Sequence, residues 1–291
     1  MKIIISIPAY NEEETIGKVI EEIKEETKNS KDKIEILVFN DGSKDKTEEK
    51  AREKGVIVVS HQENEGLAKT FRDEMKECIK RKADIIVHTD ADGQYYAKDI
   101  PRLIEKIKEG NDLVLGTRFY TNIGHMPWLK RGGNKAFARV FTKMTGVKVT
   151  DTTTGFRAFT RELAEKIEFI NNFTYTQEQI IRAARQKFRI AEIGIETRKT
   201  RKSRLFRNPF EYAFKAWINI LRIYRDYDPL KFFGRIGLTL MTLGGIIGIY
   251  FVYLHLTTGI EGHIGLLFLM TLLILIGIQI IAFGFLADMK K

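Results

Sequence analysis

The sequence predicts an α/β domain with a mainly parallel sheet, followed by a membrane-spanning helical hairpin. Short apolar runs alternate with charged helical stretches over residues 1 to about 120, and two long uncharged apolar runs close the chain. The 291 residues carry 48 Lys+Arg against 38 Asp+Glu, a net charge of +10. Such a surplus suits a polyanionic partner, whether an acidic membrane face, nucleic acid or phosphate-bearing small molecules. With 44% hydrophobic and 30% charged residues the chain can build a sizeable core, which excludes wholesale disorder and a fibrous repeat.

Ile3 to Ile7, Ile34 to Phe39, Val56 to Val59, Ile85 to His88 and Leu113 to Leu115 read as buried strands. Glu12 to Thr27, Lys44 to Lys54, Gly66 to Lys80 and Lys98 to Glu109 read as the helices between them, and Ile190 to Thr197 as a later strand. Neither Gly-x-Gly-x-x-Gly nor Gly-x-x-x-x-Gly-Lys occurs, so the dinucleotide and P-loop readings lack their loops. The single cysteine, Cys78, excludes an intrachain disulfide and a cysteine-based zinc site, and suits a reducing compartment. The apolar run Ile3-Ile4-Ile5-Ser6-Ile7 is shorter than the ~7–15-residue core of a secretory signal, so secretion is not expected.

Ile236 to Leu256 and Ile264 to Ala287 contain no Asp, Glu, Lys or Arg, and each exceeds the roughly 18–20 residues that span a bilayer. The alternative, a hairpin buried in a soluble core, would usually keep a polar face. Lys231 and Arg235 precede the first span and Lys290 and Lys291 follow the second, whereas the connecting loop carries only Glu261. The positive-inside tendency therefore places both ends in the cytoplasm. Upstream, Phe206, Phe210, Phe214, Trp217, Ile218 and Leu221 recur at helical spacing among Arg207, Lys215, Arg222 and Arg225. Such a helix suits a membrane interface, or packs on the domain as an ordinary amphipathic helix. Residues 187–235 hold thirteen basic residues against five acidic, so most of the surplus lies beside the first span.

Three carboxylate-bearing turns follow predicted strands: Pro8-Ala9-Tyr10-Asn11-Glu12, Asn40-Asp41-Gly42-Ser43 and Asp90-Ala91-Asp92-Gly93-Gln94. In an open parallel sheet the carboxyl ends of the strands line the ligand crevice, so Glu12, Asp41, Asp90 and Asp92 are expected to converge there. A divalent cation relieves the repulsion among them, and hard oxygen ligands select Mg²⁺ or Mn²⁺ over zinc. The Asp-x-Asp spacing is expected to point both side chains the same way along an extended segment, gripping one ion that also holds a diphosphate. The five histidines lack metal-ligand spacing, and His88 is read as the end of a buried strand.

In the order and context of these motifs the chain resembles the inverting glycosyltransferases of family 2, with the GT-A fold, and among them the polyprenyl-phosphate or dolichyl-phosphate sugar synthases. The resemblance covers about residues 2–235. It implies a donor site for a nucleoside-diphosphate sugar at Pro8, Tyr10, Glu12, Phe39, Asp41, Asp90, Ala91 and Asp92, with metal and diphosphate held by Asp90, Asp92 and Gln94. It further implies that Arg118 and Arg131 capture the acceptor phosphate, a task that suits a planar guanidinium, although either arginine could instead be a surface cation. Asp92 is expected nearest the reacting centre, making Asp92, Arg118 and Arg131 the catalytic set. Asp151-Thr-Thr-Thr-Gly155-Phe156-Arg157 resembles the family's acceptor-side loop, and Tyr175-Thr-Gln-Glu178 the helix start after it.

The run Arg198-Lys-Thr-Arg-Lys-Ser203-Arg204-Leu205 resembles a mobile basic loop that closes over the diphosphate through Arg198 and Arg204. It departs from the family's Arg-x-x-Gly-x-Ser-Lys-Leu in having Arg201 at the Gly position and Arg204 at the Lys. The implied organisation is a cytosolic catalytic domain over 1–204, juxtamembrane amphipathic helices over 205–235 and the hairpin over 236–287. The implied partners are the nucleotide sugar, the lipid phosphate and the bilayer, and no nucleic acid. Two alternatives stand beside this reading. A processive polysaccharide synthase is disfavoured because Gln179-Ile-Ile-Arg182 is followed by Ala183 rather than Trp and only two spans exist. A membrane-anchored basic adaptor would need the acidic turns to be merely structural.

Overall fold

The computed structural model describes residues 1–120, 128–169, 175–198, 218, 221–222, 224–257, 259 and 262–289, without the side chains of 128–131 and 144. It divides into two compact units, Met1–Tyr212 and Ala213–Lys291.

The first unit is built on a seven-stranded sheet: β1 (Lys2–Ala9), β2 (Lys33–Asn40), β3 (Ile57–Ser60), β4 (Ile85–His88), β5 (Leu113–Thr117), β6 (Arg157–Thr160) and β7 (Ile190–Gly194). Its order is β3-β2-β1-β4-β6-β5-β7. Strand β6 alone is antiparallel, wedged between β4 and β5, with Phe159 opposite Ile86 on one side and Leu113 on the other. The β1 run is buried from Ile3 to Ala9, so it reads as continuously apolar rather than alternating, as a central strand covered on both faces must.

Four helices connect the first five strands: α1 (Ile16–Thr27), α2 (Thr47–Glu53), α3 (Leu67–Lys80) and α4 (Ile100–Lys108). Each buries an apolar stripe at helical spacing, as Ile16, Val19, Ile20 and Ile23 do on α1. The helices start later than the sequence suggests because side chains claim the preceding backbone. The Asp45 carboxylate accepts the Thr47 N–H at 3.0 Å, and Thr47 Oγ1 accepts the Glu12 N–H at 2.7 Å. Further on come α5 (Trp128–Thr145), α6 (Arg161–Lys166) and α7 (Thr176–Arg185). The strand expected over Ile190 to Thr197 ends at Gly194, and Thr197 makes an isolated bridge to Tyr95.

The second unit is dominated by α8 (Pro229–Thr257) and α9 (Ile264–Asp288), both long and apolar enough to cross a bilayer. They pack through glycines. A Cβ at Gly237 would come 2.5 Å from the Gly277 carbonyl oxygen, and one at Gly277 would come 2.7 Å from that of Gly237. Gly244 and Gly284 repeat the close approach seven residues along each helix, and small residues of this kind let backbones meet in a membrane. The outer faces stay apolar and bare, with Ile249 75% and Phe268 72% exposed, which a soluble hairpin would bury. Gly277→Leu is expected to push the helices apart and cost about 1–3 kcal/mol. Its check is the midpoint of unfolding of the full chain in detergent, and an unchanged midpoint would show that this contact does not hold the pair.

Candidate active site

Strands β2, β1 and β4 are parallel neighbours, so their carboxyl-terminal turns lie side by side on one edge of the sheet. The first two turns are stitched together. The Asn11 N–H donates to Ser43 Oγ at 3.0 Å, and Asn11 Oδ1 accepts the Lys44 N–H at 2.9 Å. Pro8 and Glu12 are buried, whereas Tyr10 is exposed. Phe39 is buried with its ring edge-on to His61. Asp41 Oδ1 lies 2.8 Å from His61 Nδ1 and accepts the Glu65 N–H at 2.9 Å, and Oδ2 accepts the Gly66 N–H at 3.0 Å. The carboxylate expected to grip a nucleoside is thus already engaged in building the turn after β3. Gly42 permits that turn, because at φ +65° any Cβ would lie 2.3 Å from the Glu63 carbonyl carbon.

After β4 the chain turns sharply through Asp90-Ala91-Asp92-Gly93, with Gly93 at φ +70° and Ala91 buried. Here the structure departs from the extended segment expected: Asp92 Oδ1 folds back to accept the Gln94 N–H at 2.9 Å, an Asx-type turn. Asp90 packs against Gly155, where a Cβ would meet both its carboxylate oxygens at 2.8 Å, which gives that glycine its reason. Burial raises the Asp90 carboxyl to about 6. His88, Arg118 and Arg157 oppose the rise through space, and Asp92 adds to it.

Arg198 lies beside this turn. Its N–H donates to the Gln94 carbonyl at 2.9 Å and its Nη1 to the Gly93 carbonyl at 3.3 Å. Its Nη2 donates to Glu22 at 3.0 Å, and the guanidinium lies 4.0 Å over the Tyr96 ring. Arg204 lies outside the described residues, as do Phe206 to Trp217, and the Arg131 side chain is likewise outside them, although its backbone falls in the first turns of α5.

Arg118 follows β5, buried. It is not a surface cation: Nε donates to Asp151 Oδ2 at 2.7 Å, and Nη2 donates to Asp151 Oδ1 and Thr153 Oγ1, each at 2.9 Å. Burial opposes the charge, but Asp151 outweighs it and holds the guanidinium above its ordinary pKa.

Beneath the acidic turn lies a buried polar floor, of which sequence reasoning singled out His88, Arg157 and Tyr175 but missed Glu74. His88 Nδ1 lies 2.9 Å from Glu74 Oε1 and His88 Nε2 2.7 Å from the Tyr175 hydroxyl, all fully enclosed. Arg157, directly opposite His88 in the β4–β6 pair, donates Nη1 to the Thr176 carbonyl at 3.1 Å and to Gln179 Oε1 at 2.9 Å, and Nη2 to the Thr154 carbonyl. Glu74 lies among other charged residues of α3 with no distinctive spacing, whereas Arg157 and Tyr175 stood in motifs and His88 closed an apolar strand.

The residues fit a hard divalent ion. Among the described residues no hydrogen-bond donor reaches the Asp90 carboxylate, whose ionised form burial and Asp92 both disfavour. No cluster of three or more His, Cys, Asp or Glu is preassembled among the described residues. The remaining ligands would therefore come from Gln94 and an incoming diphosphate, an all-oxygen set suited to Mg²⁺ or Mn²⁺.

A mixed sheet with an acidic turn at its carboxyl edge is the arrangement that the resemblance to the GT-A fold implied. The chain is a member of glycosyl transferase family 2, whose pattern matches residues 4–168. A dolichyl-phosphate hexose transferase of Haloferax volcanii is 37% identical over 190 residues, 65% of this chain and 80% of that protein. A UDP-N-acetylglucosamine–dolichyl-phosphate N-acetylglucosaminyltransferase of Methanococcus voltae is 28% identical over 245 residues, 76% of this chain and 95% of that protein. Among solved structures, glucosyl-3-phosphoglycerate synthase of Mycobacterium tuberculosis, crystallised with Mn²⁺, UDP-glucose and phosphoglyceric acid, superposes with a TM-score of 0.62. It is 21% identical and the match covers 76% of this chain and 79% of that one, which establishes the fold.

Proposed function

We propose that this glycosyltransferase moves one sugar from a nucleoside-diphosphate donor to dolichyl or another polyprenyl phosphate, with inversion at the anomeric carbon, at the cytoplasmic face of a membrane crossed by α8 and α9. The observation that carries the reading is the Asp90–Asp92 turn held over Gly155, beside Arg198 on the donor side, in a chain whose relatives are named for dolichyl-phosphate transfer. A bound Mg²⁺ or Mn²⁺ would neutralise the diphosphate leaving group from Asp90, Asp92 and Gln94. In this reading Tyr10 and Glu12 meet the nucleoside, together with Pro8, Phe39, Asp41 and Ala91. Arg118 and Arg131 receive the acceptor phosphate, and Arg198 and Arg204 close on the donor. A phosphate monoester has a second pKa of about 6, so its oxygen is already anionic at pH 7 and no general base is required. The protein's work is in-line positioning and charge stabilisation.

The donor we propose is a UDP-sugar, glucose or N-acetylglucosamine, rather than GDP-mannose, in keeping with the relative named for UDP-N-acetylglucosamine. Membranes containing the protein, supplied with dolichyl phosphate and radiolabelled UDP- and GDP-sugars in turn, are expected to make a single-sugar lipid from a UDP-sugar. Polymer retained at the chromatographic origin would instead identify a processive synthase, and no transfer from any donor would refute the reading.

A further inference from the structure

We propose that Asp151, clamped by Asn134 and Glu192, is the positioning hub of the acceptor-phosphate subsite. It fixes Arg118 and the turn of α5 that carries Arg131 in one geometry before the lipid arrives. The inference rests on the reading of Arg118 and Arg131 as phosphate-binding residues and adds the residues that place them.

Asp151 is fully buried, and its two oxygens collect donors from three segments. Arg118 donates Nε at 2.7 Å and Nη2 at 2.9 Å, Asn134 donates Nδ2 at 2.9 Å, and the Thr153 N–H and hydroxyl each approach Oδ1 at 3.2 Å. Asn134, also buried, lies on α5 three residues after Arg131, one helical turn away. Its amide is fixed from both ends, since Asn134 Oδ1 accepts the Thr152 hydroxyl at 3.1 Å while Nδ2 also reaches Thr153 Oγ1 at 3.2 Å. Asn134 on α5 and Arg118, the residue after β5, are therefore tied to one carboxylate.

Glu192 holds that carboxylate's own backbone. From β7, its Oε1 accepts the Thr150 N–H at 2.8 Å and the Asp151 N–H at 3.1 Å, and its Oε2 accepts the Thr150 hydroxyl at 2.9 Å. Thr150 Oγ1 is in turn 2.7 Å from Thr117 Oγ1 at the end of β5. Burial raises the Glu192 carboxyl above its ordinary range despite these donors. The groups bonded to it are neutral backbone and hydroxyl donors, which set a loop in place rather than balance a charge.

The physical benefit is preorganisation. Ordering a free arginine costs up to about 2 kcal/mol of rotamer entropy, which a ligand must otherwise offset on binding. Paired with Asp151, Arg118 is ordered in advance, and the neutral pair is less costly to bury than a lone guanidinium.

The test uses the full chain in membranes, with Asn134→Ala, Glu192→Leu and Arg118→Ala assayed for the KM of dolichyl phosphate and of the nucleotide sugar. The first two are expected to raise the lipid-phosphate KM about tenfold, the size typical of a lost supporting shell, and to leave the nucleotide-sugar KM within about twofold. If both KM values rise together, the residues merely support the fold and the hub is overturned. If Arg118→Ala raises the lipid KM while Asn134→Ala and Glu192→Leu do not, the hub fails and the acceptor reading stands. If Arg118→Ala leaves the lipid KM unchanged, the acceptor reading fails and the hub falls with it. Glu192→Leu removes the acceptors at a similar side-chain size, so it remains informative should Asn134→Ala fold poorly.

Discussion

Asp92→Asn is expected to lower turnover of donor and lipid phosphate by about 10²–10³-fold while leaving the fold intact. The substitution keeps the oxygen that accepts the Gln94 N–H, so the turn should persist and only the charge is lost. In the variant Asp90 would be left as the single carboxylate of the turn. Removing divalent ions from the wild type with a chelator should reproduce the defect, and Mg²⁺ or Mn²⁺ should restore the wild type but not the variant. Initial rates with radiolabelled donor measure both effects. A wild-type rate for Asp92→Asn would remove this turn from the reaction.

The largest loss of stability is expected from Arg157→Met, about 3–5 kcal/mol. The guanidinium is fully enclosed and joins the Thr154 and Thr176 carbonyls and Gln179 Oε1, so methionine fills part of the volume but takes away the charged donor that these acceptors share. Burial already presses the Arg157 pKa below its ordinary value, so the cation is retained against a desolvation cost because those groups need it. Urea unfolding of the full chain in detergent, followed through the α/β unit, measures the change. A midpoint within error of wild type would show that water replaces the guanidinium without penalty. Since Arg157 stands opposite His88 at the floor of the acidic turn, activity should fall together with stability.

The strands up to Leu115 were legible because each is a short apolar run, with β1, β4 and β5 almost wholly buried, and the hairpin because nothing charged interrupts it. Strand β6 was not. Its four residues begin with a charged side chain, Arg157, whose burial depends on acceptors supplied by α7 and the preceding turn, so no local pattern announces it. The acidic turns were visible as motifs, but their hydrogen bonding was not, and Asp41 and Arg118 proved already engaged by neighbours far along the chain. Glu192 went unnoticed for the same reason. In sequence it is one carboxylate in a basic region, and its role appears only when β7 lies beside β5.

The wedging of β6 between β4 and β5 also dictates an order of folding. The half-sheet β3-β2-β1-β4 has all its strands by His88, and its crossovers are short. Beyond it, β4 and β5 cannot pair with each other and each keeps an open hydrogen-bonding edge until residues 157–160 have emerged from the ribosome. The donor-side turns can therefore settle early, while Gly155 and Arg157 reach Asp90 only with the last central strand. A chain stalled before residue 157 would carry an unpaired edge on β4, a β5 with neither neighbour, and an acidic turn without its floor, the state in which a nascent protein of this architecture is most exposed to aggregation.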